Sequence, residues 1–146
     1  MTMNKKEPRG IGTELSFALY GAANRMHRMH KPFLDPLGLT FPQYLVMLEL
    51  FSGTPRSVGE LGNSLGMDTG TITPLLKRLE ASGRVLRRRD PSDERRVLIT
   101  LTAGGEALRE ELWSVTDKIR SACQLTEEGL VQLRDTLNDF AHPAAE

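Results

Sequence analysis

No apolar run in the 146 residues approaches the ~20 that a membrane-spanning helix needs. The opening MTMNKKEPRGIGTE lacks the apolar core of a secretory signal. A lone cysteine, Cys123, cannot close an internal disulfide, so a reducing cytoplasm is the expected location. No Ser-His-acid arrangement and no metal-ligating cluster stands out, so neither enzyme activity nor a cofactor is expected. His27 and His30 lie three apart on a helical pattern, but two ligands fall short of the usual zinc set. Net charge is missing too, with 19 Lys and Arg against 19 Asp and Glu. What remains is one domain's length of ordinary globular composition, enough to bury a single core.

The charge balance hides an uneven distribution. From Lys77 to Arg96 there are eight basic and four acidic residues, a net of +4. The segment before nets +1 and the segment after −5. That basic stretch belongs to a longer one, Asp68 to Leu101. Ile72, Leu75, Leu76 and Leu79 fall at helical spacing and form one apolar face. Thr69, Thr73 and Lys77 line another side, with Arg78 beside them. Short hydroxyls reach phosphates or base edges, and cations neutralise phosphates, so this front suits a DNA major groove. Gly83 is the expected left-handed stop. Val85 to Arg89 and Arg96 to Leu101 then read as two strands, with Val97, Ile99 and Leu101 inward and Arg96 and Thr100 outward. Turn-forming Asp90 to Glu94 joins them. A helix followed by a basic hairpin is the winged helix-turn-helix pattern, and it makes double-stranded DNA the expected partner.

The flanking segments are helical. A first helix is expected from about Gly12 to Lys31, broken by Pro32 and Pro36. Thr40 to Gln43 has the T-x-x-Q form of a capping box and opens a helix to about Phe51. Ser57 to Glu60 is a second capping box, opening a short helix closed by Gly66, and a tight turn leads into the Asp68 stretch. Two placements of Pro74 stay open. Asp68 as N-cap puts it inside the helix, whereas Thr71 as N-cap puts it in the harmless first turn. After the hairpin, Leu101 to Gly105 opens a long helix with a stripe of Leu108, Leu112, Val115, Ile119 and Ala122. Thr126 caps a last helix carrying Leu130, Leu133, Leu137 and Phe140. The fold class is therefore mainly α with a small β-wing, in one domain. A DNA-binding module at about 41–101 lies between terminal helices at about 12–31 and 103–142. Those helices exceed what a winged helix needs for its own core, so a homodimer is expected to cover their stripes. Two-fold symmetry then implies a pseudo-palindromic site with half-sites about one turn, ~34 Å, apart.

SVGELGNSLG and DPSDERRVLITLTAGG resemble the MarR family of dimeric bacterial winged-helix regulators. Asp93-x-Arg95 and Leu101-Thr102-x-x-Gly105 carry the likeness, which extends over nearly the whole chain. LSFALYGAANRMHRMHKPFLDPLGLTFPQYLVMLEL, with DTGTITPLLKRLE, is similar to that family's organic-hydroperoxide-resistance repressor branch. The resemblance implies a repressor whose wing arginine, Arg95, enters a minor groove, positioned by Asp93. It gives Thr69, Thr71 and Thr73 the recognition-helix contacts, with Lys77 and Arg78 nearby. Arg88, Arg89 and Arg96 complete the set expected to face DNA.

The branch senses peroxide with a cysteine near the start of the first helix, held by tyrosines. Here that position is Ser16. Tyr20 is kept, but the other two tyrosine positions are His30 and Phe41. A serine hydroxyl does not ionise near neutral pH and has no sulfur to oxidise. Natural loss of the peroxide chemistry and an engineered reduced-state form both remain open, and His30 and Phe41 favour loss. A cleft near Ser16, Tyr20, His30, Phe41 and Tyr44 is then expected to hold a small aromatic or amphipathic effector. Cys123 has two readings, a small buried hydrophobe or a redox switch forming an intersubunit disulfide. An alternative of another class is a winged-helix module that binds protein instead of DNA.

Overall fold

The computed structural model describes residues 9–144. Seven α-helices and three strands follow in the order α1 (Leu15–Leu34), α2 (Phe41–Phe51), β1 (Arg56–Ser57), α3 (Val58–Leu65), α4 (Thr69–Ala81), β2 (Val85–Asp90), β3 (Asp93–Leu101), α5 (Ala103–Glu106), α6 (Arg109–Ala122) and α7 (Glu127–Ala141). The three strands form an antiparallel sheet in the order β1-β3-β2.

Both capping boxes form. Thr40 caps α2 with Gln43 reaching back, and Ser57 caps α3 with Glu60 doing the same. Asp68 is the N-cap of α4, its carboxylate accepting the Thr71 N–H at 2.8 Å. Pro74 therefore lies inside α4 and leaves the Gly70 carbonyl without its helical donor. The ring sits on the exposed side, where that carbonyl is open to solvent. Gly83 adopts φ 79°, the expected left-handed stop, and the chain turns directly into β2.

Four features differ from expectation. The first helix begins at Leu15, after a 3-10 turn at Ile11–Thr13, and runs through Pro32 to Leu34. Leu34 is 1% exposed, and burying it outweighs the one hydrogen bond that Pro32 removes. The hairpin is longer than Val85 to Arg89 and Arg96 to Leu101, because Asp90 pairs with Asp93 across a two-residue tip. Arg56 and Ser57 add a third strand opposite Ile99 and Leu98. The long helix expected to open within Leu101 to Gly105 is split, since α5 ends at Glu106 and α6 starts at Arg109.

The core corrects one further expectation. Ile72, Leu76 and Leu79 of α4 meet Leu61 of α3, Val46, Met47 and Leu50 of α2, and Val85 and Ile99 of the wing. Leu112, Val115 and Ile119 of α6 join the same cluster. The α6 stripe is thus buried within its own chain and does not wait for a partner. The apolar faces left open belong to the start of α1 and to α7. Leu15, Phe17 and Tyr20 are exposed there, as are Val131, Leu133, Leu137 and Phe140.

Gly105 shows how tightly α5 docks. A Cβ at this position would stand 2.0 Å from the Arg84 carbonyl oxygen. Gly105→Ala is expected to lower the unfolding free energy by about 1–3 kcal/mol, the usual cost of forcing atoms into a packed site. Urea denaturation measures it, and an unchanged midpoint would show that α5 is not held against Arg84.

Candidate nucleic-acid interface and effector cleft

Burial of the apolar face of α4 turns Thr69, Thr71, Lys77 and Arg78 outward, with Thr73 half-buried beside them. Thr69 and Thr73 line a groove of about 630 Å³ together with Ser57, Glu60 and Asn63 of the α3 side and Arg87, Arg95 and Arg96 of the wing. Thr71, Lys77, Arg78, Arg88 and Arg89 stand on exposed surface outside that lining. Asn63 and Glu60 were not legible as groove residues. The S-x-x-E pattern accounts for Glu60 as a cap, and nothing in the sequence aims it at the wing.

The wing cations differ in what holds them. Arg95 extends into solvent with its side chain 93% exposed, while Asp93 accepts its backbone N–H at 3.1 Å and its Nε at 3.5 Å. Arg89 donates to the Glu94 carbonyl at 2.7 Å and braces the hairpin. Arg87 is tied to Glu80 through its backbone N–H and its Nε, at 3.1 and 3.2 Å. Arg96 reaches Glu60 at 3.0 Å and Asp90 at 3.6 Å. The Ser92 backbone N–H, and then its hydroxyl, hold the Asp90 carboxyl below the ordinary carboxylate range, with Arg96 adding to the effect.

The five residues expected in one effector cleft separate into two places. Ser16 and Tyr20 line a shallow exposed depression on α1 with Ile11, Glu14 and Phe17. His30, Phe41 and Tyr44 line a different cleft of about 670 Å³ between α1, α2, α6 and α7. The reason is the length of α1. From Ser16 to His30 a helix rises about 21 Å, so the two ends of the set cannot share one small cavity within a chain.

The inner cleft has an aromatic floor and a charged rim. The His30 ring lies 4.7 Å from that of Phe41 and 5.2 Å from that of Tyr44, and His27 covers the other side of Phe41 at 4.5 Å. Tyr44 shares a hydrogen bond with the Thr116 hydroxyl. Met26, Leu45, Leu48, Ile119, Leu130 and Val131 supply apolar walls, and Arg120 and Arg134 supply cations. Cys123 also lines this cleft, half-buried against the core. His30 Nδ1 lies 2.7 Å from the Met26 carbonyl, which only accepts. The proton is therefore on Nδ1, and neutral His30 keeps Nε2 as an acceptor. Burial lowers the His30 pKa, partly offset by the Met26 bond, with His27 lowering it further. Burial likewise raises the Tyr44 pKa, against the effect of the Thr116 bond.

Sequence comparison then places the chain. Residues 28–112 match the family model described as transcriptional regulator SarA/Rot. The chain belongs to this family. It is 38% identical over 134 residues to the organic hydroperoxide resistance transcriptional regulator of Bacillus subtilis, covering 92% of this chain and 91% of that one. Its fold superposes on reduced AbfR bound to DNA with a TM-score of 0.76, at 31% identity over 90% of this chain and 93% of that one. CouR of Rhodococcus jostii bound to p-coumaroyl-CoA gives a TM-score of 0.79, at 26% identity over 95% and 99%. The family model and the Bacillus subtilis relative are both described as transcriptional regulators, not as enzymes. Among the described residues, no helix is long and apolar enough to cross a membrane.

The buried His30 gives the SarA/Rot chain a testable pH response. Its pKa is lowered from 6.5, so on acidification the unfolded chain takes up the proton first. Stability is then lost as pH falls through 6.5, until the folded-state value is reached. Thermal melts at pH 7.5 and 5.5 should show this loss, and His30→Gln should reduce it. An equal loss in the variant would assign the acid sensitivity to other groups.

Proposed function

We propose that the chain is a homodimeric repressor that binds a pseudo-palindromic DNA operator. The recognition helix α4 enters a major groove, and the wing reaches the adjacent minor groove. The observation that carries this reading is the shared orientation of Thr69, Thr73 and the extended Arg95 around one groove. Lys77, Arg78, Arg88 and Arg89 stand exposed to neutralise phosphates, Thr71 offers a hydroxyl beside them, and Asp93 fixes the backbone that aims Arg95. The open apolar faces of α1 and α7 come from the two ends of the chain, and a second copy covers both at once. Neutralised phosphates supply most of the affinity, so binding weakens steeply with salt. Arg95→Ala is expected to cost about 1–3 kcal/mol in binding. Fluorescence anisotropy on a duplex that the full chain selects from a random-sequence pool measures this. Unchanged affinity would remove Arg95 from the interface, and failure to select any duplex would favour a protein-binding module.

Release is by a small aromatic or amphipathic effector in the cleft of His30, Phe41 and Tyr44. Its aromatic floor accepts a planar apolar group, and Arg120 and Arg134 offer partners to a polar or anionic end. Ser16 has no sulfur, so the oxidation that a cysteine undergoes is closed to it. The effector acts by binding the DNA-incompetent arrangement more tightly, because only differential affinity shifts a population. A panel of phenolic acids should raise the melting temperature and lower DNA affinity, and organic hydroperoxide should leave binding intact. Release by hydroperoxide that thiol reverses would transfer the input to Cys123.

A further inference from the structure

An acid-base ladder passes through the groove between α3, α4 and the wing, where Glu60 and Arg96 line it. Glu49 of α2 meets Arg56 of β1 at 3.0 Å, and Arg56 meets Glu60 of α3 at 3.6 Å. Glu60 continues to Arg96 of β3 at 3.0 Å, and Arg96 ends on Asp90 at 3.6 Å. The strand pairing of β1 stops at Ile99 and Leu98, so the hairpin beyond that point has no third strand beside it. Among the described residues, the Arg96–Glu60 pair is the one ion pair or side-chain hydrogen bond that joins residues 90–96 to α3.

We propose that Arg96 and Glu60 are positioning residues, which fix the wing against the helix-turn-helix so that Arg95 meets the DNA at a set angle. This rests on the DNA-binding reading above. Arg95 and Arg96 are adjacent in sequence, yet their surroundings differ. Arg95 has one carboxylate beside it at 3.5 Å and is 93% exposed. Arg96 is half as exposed and directs its two terminal nitrogens at two different carboxylates. A phosphate approaching Arg96 would meet Glu60 and Asp90 as like charges, so this guanidinium is a poor phosphate ligand. Isolated surface pairs contribute little, but here each acid is held at a second point. Glu60 accepts the Ser57 N–H in its capping box, and Asp90 accepts two hydrogen bonds from Ser92. The ladder therefore joins elements that are already fixed.

Glu60→Gln separates this role from a direct contact by the sign of its effect. Glutamine keeps the capping box, since its side-chain oxygen still accepts from Ser57. It removes a negative charge from a surface that faces DNA, which by charge alone tightens binding. A positioning role predicts the opposite, weaker binding by about three- to fivefold. Arg96→Gln should weaken binding to a similar extent while leaving the slope of log affinity against log salt unchanged, because no phosphate contact is lost. The double variant should be no weaker than either single one. All are measured by anisotropy on the duplex selected by the full chain, with Arg95→Ala as the variant whose slope falls by about one. Tighter or unchanged binding in Glu60→Gln, or a slope reduced by about one in Arg96→Gln, would overturn the positioning role. A full chain that binds no duplex fails the DNA-binding reading itself and removes this inference with it.

Discussion

Burial of one face of α4 is the constraint on which the rest of the molecule depends. Ile72, Leu76 and Leu79 are at most 1% exposed. With these three and Leu75 fixed inward, the rotation of the helix about its axis is set, and its threonines and basic residues must face out. The same contacts draw in α2, α3 and the base of the wing. On the proposed DNA-binding reading, function is a consequence of packing: the surface proposed to meet DNA is the part of α4 that the core does not consume.

A second constraint is the mismatch between a small winged helix and the helices at its ends. α6 resolves it internally by packing Leu112, Val115 and Ile119 on α2 and α1. α7 does not, since none of its residues is buried. The cleft between α6 and α7 exists because α7 crosses this surface without closing on it. A ligand filling that space bears on α1 and α2 through His30, Phe41 and Tyr44. α2 packs in turn on α3 and α4, so a path of direct contacts links the cleft to α4, the proposed recognition helix.

The elements with strong local signals were legible in the sequence. Capping boxes at Thr40 and Ser57, the left-handed stop at Gly83 and the apolar periodicity of α4 each depend on residues within one or two turns. The features that were not legible are non-local. Two residues of β1 carry no readable period and exist only by pairing with Ile99 and Leu98. The fate of the α6 stripe depends on whether α1 and α2 offer room, which no spacing reveals. The expected effector pocket divides in two within one chain for the same reason, because it joined positions set far apart by the length of α1. Charge was the least legible property. Arg87, Arg88, Arg89, Arg95 and Arg96 look alike as a basic cluster, but the structure separates Arg87 and Arg96, tied to acids of other elements, from Arg89, which braces the turn, and from the exposed Arg88 and Arg95.

The central claim is that a two-fold dimer presents two copies of α4 and the wing to one side of a duplex. Hydroxyl-radical footprinting of the full chain on its selected duplex tests it most directly. The account predicts two equivalent protected regions centred about one helical turn, ~34 Å, apart on the same face of the DNA. A single protected region, or protection spread evenly around the helix, would contradict it.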